Sequence, residues 1–121
     1  MNPKELLESV FDSDDTPRQF HFNDIVTALN KLGDPGSRSR SSERFLVKIL
    51  QSDRRIPLHP RSSVPHGMSP EDMLKSLILR KLVETDPENA KRYRAALEKA
   101  KEQASSITLK RIIGNHLKKI T

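Results

Sequence analysis

At Asn2-Pro3, Ser69-Pro70 and Asp86-Pro87 a small polar residue is followed directly by proline and then by a helical pattern of apolar residues. Each pair has the chemistry of a helix start. The side-chain oxygen can accept an orphan backbone N–H of the first turn, and proline at the first helical position lacks an N–H that would have no partner there anyway. Helically spaced apolar residues follow each pair: Leu6, Leu7, Val10 and Phe11; then Met73, Leu74, Leu77, Ile78, Leu79, Leu82 and Val83; then Ala90, Tyr93, Leu97, Ala100 and Ala104. Glu71 and Asp72 add negative charge at the positive end of the second of these helices.

Three further segments carry the same periodicity. Asn23 is the expected cap of a helix burying Ile25, Val26, Leu29 and Leu32, stopped at Gly33, the residue type that best tolerates a left-handed terminus. Ser41 or Ser42 is the expected cap of a helix with Phe45, Leu46, Ile49 and Leu50 on one face, ending near Asp53-Arg54-Arg55. Leu109, Ile112, Ile113, His116, Leu117 and Ile120 form the last stripe, interrupted only by Gly114, which costs about 1 kcal/mol relative to alanine. Strand signals are nearly absent. The chain is therefore expected to be all-α, a compact bundle of five to six short helices around the 70–84 helix, in a single domain over residues 1–121.

The connectors differ in character. Gly33 to Ser42 offers nothing apolar to bury and reads as a mobile Ser/Arg loop. Residues 56–68 hold Pro57, Pro60 and Pro65 and read as an extended, irregular Pro-rich connector, with Ile56 and Leu58 as docking anchors. Asp12 to Pro17 ends the first helix. The core has little to draw on. Only 34% of the 121 residues are apolar, about 37% with glycine counted, against roughly 45–50% in globular domains.

Cysteine is absent, which excludes a disulfide framework and a thiolate zinc site. The first residues lack the order of a signal peptide, and no uncharged apolar run approaches a membrane span. An intracellular location, cytoplasmic or nucleoid/nuclear, is the expectation. Charge is unevenly laid out: residues 1–34 sum to −4 and residues 35–68 to +5, while residues 106–121 carry four bases and no acid. The overall formal charge is +6.

Catalytic patterns are missing. His21, His59, His66 and His116 show neither zinc-protease spacing nor a cysteine partner, and there is no G-x-S-x-G elbow, so no enzyme and no cofactor is expected. Asp12-Ser13-Asp14-Asp15 has calcium-like spacing but lacks the glycine and the distal glutamate of such a loop; a solvated helix end is the simpler reading, and no metal site is expected. Gly33 to Ser42 fails as a P-loop, having no lysine and following a helix. His116 lies on an apolar seam, where a core histidine outweighs a ligand. A membrane-surface role for the Lys-rich tail lacks Trp or Phe anchors, so no membrane partner is expected.

Three basic clusters remain: Arg38 and Arg40 beside the start of the third helix; Arg54, Arg55 and Arg61; and Lys110, Arg111, Lys118 and Lys119 on the last helix. The first can serve as an anion site, and Ser37, Ser39, Ser41 and Ser42 beside it are candidates for phosphorylation that would cancel its charge. The last helix is apolar on one side and basic on the other, a form that can lie along a phosphate backbone. Aromatic residues are too few for base stacking, which favours duplex over single strands. Helices at 86–105 and 108–120 have helix-turn-helix lengths, with Thr108, Lys110, Arg111 and Asn115 outward, but their joint lacks the usual glycine. The expected role is non-enzymatic binding of nucleic acid through duplex phosphates, for regulation or packaging. The alternative is a protein-interaction module, an adaptor, inhibitor or small subunit, or one that meets an acidic protein surface.

Overall fold

The computed structural model describes residues 2–11, 19–34, 36, 39–52, 55–61, 68–104 and 106–120. The fold is all-α, with six helical stretches among these residues and no strand. Helix α1 spans Pro3–Phe11, α2 Phe22–Leu32, α3 Arg40–Leu50 and α4 Pro70–Leu79. A π-turn, Arg80–Glu84, continues α4. Helix α5 (Pro87–Ala90) passes through a 3-10 turn at Lys91–Tyr93 into α6 (Arg94–Gln103), and α7 spans Ile107–Lys119.

The Pro-marked starts form as their chemistry dictates. Asn2 Oδ1 accepts from the Glu5 N–H at 2.8 Å, Ser69 Oγ from Asp72 at 3.2 Å and Asp86 Oδ1 from Asn89 at 3.2 Å. Two starts fall elsewhere than expected. Asn23 lies inside α2, because His21 takes the cap position in extended conformation and lets Phe22 enter the core. Ser39, not Ser41 or Ser42, caps α3: its hydroxyl accepts from the Ser42 N–H at 3.2 Å, drawing Arg40 to Ser42 into the first turn. The 33–42 segment is thus helical from Arg40, while residues 35, 37 and 38 lie outside the described residues.

Gly33 closes α2 at φ −87°, outside the left-handed region. Its reason is space. A Cβ there would stand 3.1 Å from the Leu29 carbonyl and from Cβ and Cγ of Lys81 on the π-turn, closer than nonbonded carbon atoms settle. The expected 86–105 helix is likewise interrupted, tightening to 3-10 at Lys91–Tyr93, the geometry short helical connectors take. Tyr93 is consequently half-buried, while Ala90, Leu97, Ala100 and Ala104 are buried as expected.

Helix α4 occupies the centre, in contact with α2, α3 and α7, while α1 packs on α2 and α6 on α7. One apolar cluster runs through all of them and includes Leu7, Ile25, Leu29, Leu46, Ile49, Leu74, Ile78, Leu97, Leu109 and Ile113, each 2% exposed or less. At roughly 1.5–3 kcal/mol for each fully buried large aliphatic side chain, this cluster is what holds helices too short to persist alone. The extended connector docks on it. Ile56 is buried, Leu58 packs against the core, and Phe20 pairs with Leu58 as an isolated parallel bridge. In that bridge Phe20 N–H donates to Pro57 O, and His59 N–H donates to Phe20 O, both at 2.8 Å. The flanking imidazoles of His21 and His59 stack with centroids 4.7 Å apart. The expected helix end at 12–17 and the connector residues 62–67 lie outside the described residues.

Candidate functional site

Helices α6 and α7 are joined through residues 104–106. Ala104 is extended (ψ 132°), which ends α6, and the Ser106 hydroxyl accepts from the Leu109 N–H at 3.0 Å, which starts α7. Leu97 and Ala100 of α6 and Leu109 and Ile113 of α7 are buried in the common core. Helical periodicity then decides what faces outward. Arg94, Glu98 and Lys101 fall at i, i+4 and i+7 on α6; Ile107, Lys110, Arg111, Gly114, Asn115 and Lys118 fall at i, i+3, i+4, i+7, i+8 and i+11 on α7.

These two stripes line one shallow groove of about 520 Å³, in which five cationic residues (Arg94, Lys101, Lys110, Arg111, Lys118) meet a single acid, Glu98. Glu98 is already engaged with Arg94, Oε1 to Nε at 3.2 Å, in an i,i+4 pair whose two side chains are about half exposed. Such a pair contributes about 0.3–0.5 kcal/mol and is readily exchanged for another partner. Among the described residues no carboxylate pairs with Lys101, Lys110 or Arg111. Their mutual repulsion is screened only over about 8 Å at physiological salt, so an anion entering the groove relieves it. Ile107, at one end, is 78% exposed and is the exposed large apolar side chain among the described residues.

Of the basic residues singled out in the sequence, the groove gathers Lys110, Arg111 and Lys118, with Thr108 and Asn115 exposed beside them. Lys119 is one step further round the helix and meets the π-turn instead, its Nζ 3.2 Å from Glu84 Oε1. Arg40 is exposed on the first turn of α3 and Arg61 is exposed beside His59, whose Nδ1 accepts the Arg61 N–H at 3.1 Å. Arg55 lines a separate depression with Glu71, Asp72 and Lys75, where acids offset its charge. None of these three lines the α6–α7 groove. Arg38, Arg54 and Ser37 lie outside the described residues. Arg94 and Lys101 escaped the sequence reading because residues 86–105 sum to only +1. Their signal was positional: two cations seven residues apart, on the same side of a helix.

On the opposite side of α7, His116 is buried at 7% exposure. Its Nδ1 donates to the Ile112 carbonyl at 2.8 Å, and its Nε2 faces Glu84 Oε1 at 3.5 Å. The Lys119 hydrogen bond, with the charges of Lys119, His116 and Arg80, holds the Glu84 carboxyl below its ordinary value against the opposing pull of desolvation. This cluster ties α7 to the π-turn and reads as structural.

Among the described residues no three His, Asp or Glu side chains converge as metal ligands, and no helix is long and apolar enough to cross a membrane. Comparison with protein-family models, with characterised proteins and with solved structures finds no match for this chain.

Proposed function

We propose that this chain is a non-enzymatic nucleic-acid-binding protein that grips the phosphate backbone of a duplex with the α6–α7 groove, in regulation or packaging. The observation that carries this reading is the convergence of five cationic residues from two helices around one half-exposed acid. A polyanion is the ligand whose charge such a groove complements, and displaced counterions supply the binding free energy. Thr108 and Asn115, exposed on the same helix, add hydrogen-bonding groups at the rim.

The test is fluorescence anisotropy with a labelled mixed-sequence 20-base-pair duplex between about 50 and 200 mM salt. With four or five phosphates neutralised, the logarithm of affinity should fall with the logarithm of salt at a slope of about −4. Lys101→Gln, Lys110→Gln and Arg111→Gln should each flatten that slope by about 1. Binding that ignores salt, or that is indifferent to these three side chains, overturns the proposal.

Ile107 supports a second reading. An exposed apolar residue at the end of a basic groove also suits an acidic protein segment that carries an apolar anchor. Ile107→Ser separates the two, since it removes the anchor and leaves every cation in place.

A further inference from the structure

Gly114 is a mid-helix glycine with no evident structural need to be one. It lies on the right-handed helical course of α7, so a left-handed backbone does not require it. Core packing does not require it either. A Cβ built there meets only the far end of Lys101, with Nζ at 3.4 Å and Cε at 3.6 Å. Gly33 is the contrasting case, where the same atom would strike a backbone carbonyl and a neighbouring stem at 3.1 Å. The helix thus bears the propensity cost of Gly114 without a packing return.

The position is also the centre of the charge pattern. Lys110 and Arg111 lie one turn before Gly114 and Lys118 one turn after it, all on the groove side, and Lys101 reaches across from α6 so that its ammonium rests over the vacant Cβ position. A methyl group there would sit in ordinary contact with that ammonium and fill the gap beneath it, and a longer side chain would displace it. Glycine is what leaves the space between the Lys101 ammonium and α7 open.

Resting on the nucleic-acid reading above, we infer that Gly114 and Lys101 form the seat of one backbone phosphate, with Lys110, Arg111 and Lys118 around it. The phosphate oxygens accept from the Lys101 ammonium and the Arg111 guanidinium, in the space that a side chain at position 114 would fill. Charge-assisted bonds of this kind depend steeply on approach distance, so a methyl group that takes the place of the phosphate oxygen is felt even where it moves no cation.

The experiment uses the intact chain and Gly114→Ala and Gly114→Gln, measured against the same labelled duplex and against poly-glutamate as an acidic-peptide probe. Alanine should raise the melting temperature by about 3–6 °C, because helix propensity improves. It should nevertheless weaken duplex binding by about three- to tenfold, and glutamine should weaken it more, although no cation has been removed. That opposition of sign is the signature of a seat. Unchanged duplex affinity in both variants, with the parent chain binding normally, overturns the seat and leaves the nucleic-acid reading standing. A lower melting temperature for Gly114→Ala would show that the glycine is structural and also overturns the seat. If the parent chain binds no duplex, or binds only poly-glutamate, both the reading and the seat fall.

Discussion

Two glycines in this chain do opposite things, and their environments say which. At Gly33 the end of α2 and the stem of Lys81 approach so closely that a Cβ fits only if its neighbours give by a few tenths of an ångström, whereas at Gly114 the space opens into the groove. Gly33→Ala should therefore be destabilising, because neither the Leu29 carbonyl nor the Lys81 stem can yield without moving its helical segment. An overpacking cost of about 1–3 kcal/mol is expected, read as a lower urea midpoint with an unchanged slope. A neutral or stabilising result would mean that α2 and the π-turn are not held at this separation. Sequence alone marked Gly33 as a helix stop, which it is, but for the wrong physical reason. A φ of −87° is open to any residue, and the crowding comes from Lys81, 48 positions away in the chain. Such a contact is tertiary and leaves no local trace.

At the level of elements, the helix starts at Asn2-Pro3, Ser69-Pro70 and Asp86-Pro87 were legible, because cap and proline both act within one turn. The start of α3 was less so, since Ser39, Ser41 and Ser42 are chemically equivalent caps and only the packing of Ser42 against the core breaks the tie. The π-turn after α4 was not legible at all. It brings Glu84 to Lys119 and His116, joining the end of α4 to the end of α7. That junction has a pH dependence of definite sign. The Glu84 carboxyl is held below its ordinary 4.5, first by the Lys119 hydrogen bond and then by surrounding positive charge, so its contribution to stability is fully present above that value and disappears as pH falls through the lowered one. The melting temperature of the parent chain should exceed that of Glu84→Gln near neutrality, and the gap should close as pH falls below the ordinary 4.5 and through the lowered value. A gap that widens in acid contradicts the assignment.

For the molecule as a whole, charge distribution separates what composition suggested from what the fold does with it. The basic tail was visible as four bases without an acid in residues 106–121, and three of those four reach the groove because periodicity alone assigns them to one side of α7. The fourth, Lys119, and the more distant Arg40, Arg55 and Arg61 were indistinguishable from them by composition, yet the fold sends them elsewhere. Arg94 and Lys101 enter only through the packing of α6 on α7, which no local pattern encodes. This division is measurable. A triple variant with Arg40→Gln, Arg55→Gln and Arg61→Gln removes three charges, the same number as Lys101→Gln, Lys110→Gln and Arg111→Gln together. The first should leave the salt slope of duplex binding nearly intact, and the second should flatten it by about 3. Equal effects would mean that net charge, rather than the groove, sets the affinity.

The short pairing of Phe20 with Leu58 has a consequence for behaviour at high concentration. An extended stretch on the outside of a helical protein ordinarily invites another chain to add to it, since unpaired amides recruit a neighbour's carbonyls and start an aggregate. From Pro57 to Arg61 no amide hydrogen is left over for that purpose. Pro57 and Pro60 have none, Leu58 gives its own to Ile56, His59 to Phe20, and Arg61 to the His59 ring. From Pro57 to Arg61 the segment thus offers a neighbouring chain no backbone donor, which removes half of the groups an intermolecular sheet would need at this edge.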